Sequence, residues 1–199
     1  QIIFIIIDCL RLDQWKIISE LLYPHFTIKE DYCMSIIPTA TPFARNAIFS
    51  GLLPNDLKNE ENDIWNKMFN ENKLNGYEDI LFKKLLSKNN LDNISNAYIK
   101  ISDFSSGKKF LNKIKDYKNI NILNIVVNFV DILGHSRSES KVLSELIPND
   151  SAYRQAIFNW FNNSWLYEIL TIIKNWTDTE IIITSDHGNT KIDKPLLVR

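Results

Sequence analysis

The sequence has few of the residues that mark secreted, membrane-spanning or nucleic-acid-binding proteins. Two cysteines, Cys9 and Cys33, cannot form a disulfide framework for 199 residues, and their scarcity suits a reducing compartment. The longest apolar run, Ile2 to Ile7, is too short to cross a bilayer and lacks the basic flank of a signal peptide. A net charge of -1 provides no overall basic field for nucleic acid. We therefore expect a cytoplasmic protein with no membrane partner.

The composition indicates a globular domain with a substantial core. Apolar residues make up 45% of the chain and charged residues 24%, and 199 residues fit one domain. The chain begins at Gln1 in a strand-like run and ends at Arg199 in another. We therefore expect residues 1–199 to form a single domain that is a fragment of a longer chain.

Apolar runs predict the central strands of a parallel sheet. Ile2–Ile7, Ile120–Val130 and Glu180–Thr184 are largely apolar without strict alternation, which is typical of strands covered on both faces. Apolar residues at helical spacing predict a helix over Tyr153–Leu170. Residues 55–75, rich in Asn, Glu, Asp and Lys, predict an irregular surface segment. Together these patterns predict a three-layer α/β/α fold with a mainly parallel central sheet.

An aspartate ends each predicted strand: Asp8, Asp131 and Asp186. Ligands of open parallel sheets bind beyond the carboxyl ends of the strands, where three carboxylates would repel one another without a cation. His135 and His187 follow two of these aspartates, and carboxylate with imidazole is a common zinc or manganese ligand set. One such pair could be an ordinary turn with a hydrogen-bonded histidine. Two pairs together with Asp8 favour a metal site.

Thr41 is the candidate nucleophile. The pair Thr41-Pro42 reads as an N-cap followed by proline at the first helical position, and Gly51 with Pro54 marks the end of the same helix. A hydroxyl at a helix N-terminus can meet a phosphoryl group, and a divalent metal can activate it. The alternative is a plain helix cap. The neighbouring metal cluster favours the nucleophile.

The order of these motifs resembles that of the alkaline phosphatase superfamily. Within the superfamily, Asp8–Trp15 and Pro38–Gly51 resemble the PglZ domain, particularly that of PorX-type response regulators, and Gly134–Ser138 extends the likeness. The resemblance implies an alkaline-phosphatase-like fold and two divalent metals, usually zinc. It assigns the first metal to Asp8, Thr41, Asp186 and His187, and the second to Asp131 and His135.

Two positions depart from the superfamily pattern. The second metal normally takes another histidine, but His25 is expected to be structural, so this ligand is expected beyond Arg199. Related nucleotide phosphodiesterases also carry a phosphate-binding Asn in the helix after the nucleophile, where this sequence has Ala44. The candidates for that contact are Arg11, Arg45 and Asn46.

The resemblance implies a phosphodiesterase that acts on a nucleotide or oligonucleotide in two displacements at phosphorus, with Thr41 attacking first. PorX-type proteins further imply a preceding receiver domain, a partner sensor kinase, homodimerisation and a link to type IX secretion. Two alternatives stay open. One is a catalytically silent metal-binding module for signalling or dimerisation, and the other is a phosphomonoesterase or phosphotransferase of the same superfamily.

Overall fold

A computed structural model describes residues 1–190, and the strand-like run that ends at Arg199 lies outside them. The described chain contains a four-stranded, wholly parallel sheet in the order β2-β3-β1-β4. The strands are β1 Ile2–Ile7, β2 Asn96–Ile101, β3 Ile122–Val127 and β4 Glu180–Thr184. The predicted bounds of the first and last strands are confirmed, but within residues 1–190 β4 lies at an edge of the sheet and is only partly buried, whereas a buried central strand was predicted. The prediction for β3 was too long, and β2 was not predicted.

Helices cover both faces of the sheet, which confirms the predicted three-layer α/β/α architecture. They are α1 Leu12–Ser19, α2 Thr41–Ser50, α3 Pro54–Glu60, α4 Asn62–Asn70, α5 Glu78–Lys88, α6 Phe104–Lys113, α7 Phe129–Glu139, α8 Lys141–Leu146, α9 Asp150–Asn162 and α10 Trp165–Ile173. Ile114–Tyr117 adds a 3-10 turn after α6. None of the helices in residues 1–190 has the length and apolar character needed to span a bilayer.

The strand β1 lies at the centre of two hydrophobic cores. Ile3, Ile5 and Ile7 point into the larger core, which includes residues of α1, α6, α9 and α10. Ile6 points to the opposite face, into a smaller core with residues of α2 to α5. Because both faces of β1 are buried, its apolar run needs no alternation. Because β1 is held by both cores, the position of Asp8, the residue that follows it, is fixed as well.

Two secondary-structure predictions were wrong. Residues 55–75 are not irregular, because α3 and α4 bury Leu57, Ile64 and Met68 against the smaller core. The predicted helix over Tyr153–Leu170 is two helices, α9 and α10. Ser164 starts the second helix by accepting a hydrogen bond from the backbone N–H of Tyr167.

The carboxyl ends of the strands form one edge at which the site residues emerge. Asp8 directly follows β1, and Asp186 comes two residues after the neighbouring β4. Asp131 does not end a strand as predicted. Strand β3 stops at Val127, and Asp131 lies in the first turn of α7. Its carboxylate therefore reaches this edge from a helix.

Candidate active site

Asp8, Asp186 and His187 form a compact cluster of possible metal ligands. One ligand atom from each residue lies within 4.8 Å of those of the other two. Asp8 and Asp186 are buried, and the His187 side chain is 9% exposed. Their position at the ends of adjacent parallel strands explains why residues nearly 180 positions apart meet. The structure thus brings together three of the predicted ligands.

The Asp186 carboxylate has one bonded oxygen and one free oxygen. Oδ1 accepts hydrogen bonds from the backbone N–H of Cys9 at 3.2 Å and of His187 at 3.0 Å. Oδ2 is buried, has no hydrogen-bond partner among the described residues and lies 3.8 Å from His187 Nε2. Cys9 donates from a left-handed conformation, with φ of 65°, which is uncommon for a residue with a side chain. A buried carboxylate oxygen without a hydrogen-bond partner is suited to binding a cation.

The orientation of His187 suits a ligand. Its Nδ1 lies 3.0 Å from the backbone oxygen of Gly188. Since a carbonyl oxygen can only accept, Nδ1 donates this hydrogen bond, and the ring is held with Nε2 facing Thr41, Asp8 and Asp186. Metal-binding histidines are commonly fixed by this kind of hydrogen bond from the second ring nitrogen.

Thr41 reaches the cluster from the start of α2. Its Oγ1 lies 2.8 Å from His187 Nε2 and 3.3 Å from Asp8 Oδ1. The predicted capping role is displaced by one residue, because Ala40 is the N-cap and Thr41 is the first residue of the helix. The Thr41 side chain is therefore free of a capping bond and available to the cluster. Gly51 ends the helix in the left-handed conformation (φ 67°), as its sequence position indicates.

Arg45 and Asn46 occupy structural positions that the sequence-based expectation did not foresee. Arg45 is 1% exposed and pairs with Asp8 Oδ2 and Glu78 Oε1, each at 2.5 Å. Asn46 is fully buried, and its Nδ2 donates to the backbone oxygens of Pro42 and Leu74. Protein groups surround both side chains, which disfavours a phosphate contact by Arg45 or Asn46, and that role stays a prediction.

The electrostatics of the cluster favour a cation. Burial, and then the charge of Asp8, raises the pKa of Asp186 from 3.8 to about 6. Burial and the nearby acidic side chains raise the pKa of the Cys9 thiol to about 12, so this thiol is neutral at ordinary pH. Carboxylate oxygens, imidazole nitrogen and a hydroxyl are suitable donors for a divalent metal such as zinc. The donor set and the unpartnered Asp186 oxygen therefore fit a divalent cation.

Asp131 and His135 lie together on α7, apart from the group of three ligands. His135 Nε2 is 3.5 Å from Asp131 Oδ1, and the His135 side chain is 74% exposed. Burial, and then the charge of Asp8, raises the pKa of Asp131. Asp131 and His135 therefore lie outside the buried group formed by Asp8, Asp186 and His187.

Arg11 lies at the rim of the site. Its guanidinium bonds to Asp13 at 2.8 Å and to Asp150 at 3.2 Å. Its side chain also lies against Gly188, where an added Cβ would be 3.3 Å from Arg11 Cγ. His25 lies away from the cluster, with Nδ1 3.5 Å from Lys174 Nζ at the end of α10.

Lys100 is a candidate that the sequence analysis missed. It lies near the carboxyl end of β2, and its Nζ donates to the backbone oxygen of Asn75 at 3.1 Å. Asn75 Nδ2 donates in turn to the backbone oxygen of Thr41 at 3.1 Å. Unlike Lys83 and Lys84, Lys100 has no carboxylate partner in residues 1–190. Nothing in its strand sequence, Asn96–Ile101, distinguishes it from an ordinary surface lysine.

Comparison with known protein families gives one match. The family model described as the BREX system PglZ alkaline phosphatase-like domain matches residues 1–198. No curated protein matches the chain.

Proposed function

Because the chain belongs to the PglZ alkaline phosphatase-like family, within a superfamily of phosphoester hydrolases that use divalent metals, we propose that it is a metal-dependent phosphodiesterase with Thr41 as its nucleophile. The carrying observation is the position of Thr41 Oγ1, 2.8 Å from His187 Nε2 and 3.3 Å from Asp8 Oδ1. A hydroxyl placed among metal-ligand atoms at the carboxyl edge of a sheet is arranged to attack an electrophile.

The proposed ligands of the first metal are Asp8 Oδ1, Asp186 Oδ2, His187 Nε2 and Thr41 Oγ1. Asp131 and His135 are the proposed ligands of the second. Bound divalent cations, most simply zinc, would supply positive charge that favours ionisation of a hydroxyl and stabilises charge on phosphoryl oxygens.

The proposed reaction consists of two displacements. Thr41 Oγ1 forms a bond to phosphorus while the bond from phosphorus to the leaving alcohol breaks, and the alcohol leaves with a proton. The oxygen of a water molecule then attacks the phosphothreonine ester, and the bond to Thr41 Oγ1 breaks, which restores the hydroxyl. The Thr41 N–H has no backbone acceptor in residues 1–190 and, at the start of α2, is available to a phosphoryl oxygen.

The proposed substrate is an anionic phosphodiester of the nucleotide or oligonucleotide type. Arg11, at the rim of the site, and Lys100 are the proposed contacts for its phosphate oxygens. Lys100 is exposed at the surface, where an anion can reach it. Neighbouring groups partly desolvate its ammonium group, which lowers the pKa of Lys100, and a bound anion would stabilise the charged form. Its hydrogen bond to Asn75, which in turn bonds to the backbone oxygen of Thr41, links Lys100 to the start of α2.

The cellular setting is a further part of the proposal. The resemblance to PorX-type proteins supports a cytoplasmic output domain that follows a receiver domain, responds to a sensor kinase, dimerises and acts in type IX secretion. The matching family description names the BREX system instead, which favours a second setting. The sequence flanking residues 1–199 in the whole protein distinguishes the two, because a receiver domain belongs to the first.

A direct assay tests the proposed activity. The full-length protein, stripped with a chelator and reloaded with zinc or manganese, is incubated with bis-p-nitrophenyl phosphate and with p-nitrophenyl phosphate. We expect metal-dependent release of p-nitrophenol, faster from the diester. Metal binding without hydrolysis of either compound would contradict the proposal and favour the silent binding module. Faster monoester turnover would favour the phosphomonoesterase.

A further inference from the structure

A buried series of polar side chains connects Asp8 to the protein core. Arg45 Nη1 donates to Asp8 Oδ2 at 2.5 Å, and Arg45 Nε donates to Glu78 Oε1 at 2.5 Å. The hydroxyl of Tyr98 donates to the other oxygen of Glu78. The side chains of Asp8, Arg45 and Glu78 are at most 2% exposed. We refer to Arg45, Glu78 and Tyr98 as the Arg45 network.

Stability alone does not explain why the charges of the Arg45 network are buried. Buried ion pairs often stabilise a protein less than apolar residues of the same size, because both charges lose their hydration. The Arg45 network draws its members from α2, the start of α5 and β2, so three elements are arranged around it. A network fully satisfied by hydrogen bonds holds its members in a single geometry.

We infer that Arg45 is a positioning residue for Asp8, held in place by Glu78 and Tyr98. Arg45 occupies Asp8 Oδ2 and leaves Asp8 Oδ1 directed at Thr41 Oγ1 (3.3 Å) and His187 Nε2 (3.7 Å). Asp8 therefore presents one defined oxygen to the proposed metal. This inference rests on the proposed function in that Asp8 is a metal ligand there.

The charges of the Arg45 network also match a divalent ion. The buried carboxylates of Asp8 and Glu78 contact the guanidinium of Arg45, and that of Asp186 lies in the same ligand cluster as Asp8. These three carboxylates and one guanidinium leave two negative charges when all are ionised. One divalent cation at the cluster neutralises them. Without Glu78, Arg45 would cancel half of the charge that attracts the metal. The carboxylate of Glu78 therefore neutralises the positive charge of Arg45, the residue that positions Asp8.

Metal affinity tests the inference with a measurement other than activity. The variants Arg45→Lys and Glu78→Gln, in the full-length protein, are compared with wild type by zinc competition against a chromogenic chelator. Lys cannot reach both carboxylates as the guanidinium does, and Gln removes the compensating charge. We expect zinc to bind about tenfold more weakly in both variants, as is usual when a group behind a metal ligand is removed. Kd values within about threefold of wild type in either folded variant would overturn the inference.

Further variants separate this effect from general destabilisation. Lys84→Met breaks the more exposed pair between Lys84 on α5 and Glu61, which lies between α3 and α4, and should leave zinc affinity unchanged. Thermal unfolding in chelator shows whether each variant folds. If Arg45→Lys does not fold, Tyr98→Phe replaces it, since it removes one hydrogen bond to Glu78 and keeps every charge. Absence of zinc binding in the wild type would count against the proposed function. Equal binding in wild type and variants would count against the Arg45 network alone.

Discussion

The hydroxyl oxygen of Thr41 lies 2.8 Å from Nε2 of His187, although 146 positions separate the two residues. Thr41 starts α2, and His187 lies in the segment after β4. The parallel pairing of β1 with β4 brings that segment beside Asp8, and α2 delivers Thr41 to the same point. The candidate nucleophile and a candidate metal ligand are thus adjacent because of the sheet topology.

Replacing Thr41 tests its role as nucleophile. Thr41→Ala removes the attacking oxygen, so we expect turnover of a generic phosphodiester to fall by at least about a thousandfold. Zinc content and thermal stability should change little, since three other ligands remain. Thr39→Ala, at an exposed threonine two residues earlier, is the matched control and should retain full activity. Activity that persists in Thr41→Ala would remove Thr41 from the proposed role.

The two histidine pairs should differ in metal affinity. His187 belongs to a buried group with an unpartnered carboxylate oxygen, whereas the His135 side chain is 74% exposed and has Asp131 as its nearby ligand. Zinc titration by calorimetry should therefore show a tight and a weak phase. His187→Ala should abolish the tight phase, and His135→Ala should affect the weak one. The reverse result would contradict the assignment of the two sites.

The stability of the metal-free protein should depend on pH through Asp186. Burial and the charge of Asp8 raise the pKa of Asp186 from 3.8 to about 6, so the folded state binds this proton more tightly than the unfolded state. The resulting stabilisation is complete below the unfolded pKa and is lost as the pH rises through the folded one. Relative to Asp186→Asn, the free energy of unfolding should fall by about 2 kcal/mol between roughly pH 4.5 and 7.5.

Urea unfolding in the presence of a chelator measures this difference. Saturating zinc should abolish the fall of the unfolding free energy with rising pH in the wild type, because a cation favours the ionised carboxylate of Asp186. If the difference between wild type and Asp186→Asn does not vary with pH, Asp186 does not carry the expected shift.

Lys100 should contribute to substrate binding. Lys100→Met removes a cation that lies two hydrogen bonds from Thr41, so we expect the KM for an anionic diester to rise about tenfold, the effect of losing a charged hydrogen bond. Lys83→Met is the control, because Lys83 pairs with Asp79 on the exposed side of α5. An unchanged KM in Lys100→Met, with normal zinc content, would exclude the contact.

The sequence predicted those features that follow from continuous apolar runs and from motifs at their ends. Strands β1 and β4 were predicted with their observed bounds, because each contains a run of isoleucines and is followed by a polar motif. Helices α3 and α4 were missed, since Leu57, Ile64 and Met68 are few among many polar residues and their burial depends on the smaller core. The bounds of β3 were also wrong, because the apolar Phe129 and Val130 follow the single polar residue Asn128 and resemble more strand, whereas they begin α7.

The sequence predicted the types of the site residues better than their surroundings. Asp8, Asp186 and His187 lie where the strand ends indicate. Arg45 lies in the same motif as Thr41, but its burial against Glu78 depends on α5 packing on α2, which no local pattern indicates. The left-handed turn at Cys9, which directs its N–H to Asp186, likewise has no sequence signal, because the position holds neither Gly nor Asn. Both features depend on tertiary contacts.

Anomalous diffraction at the zinc edge, from crystals of the zinc-loaded protein, tests the proposed metal centre most directly. We predict a peak in contact with Asp8 Oδ1, Asp186 Oδ2 and His187 Nε2, next to Thr41 Oγ1. A map with no peak at this position, or with zinc bound elsewhere while these side chains keep their present contacts, would contradict the account.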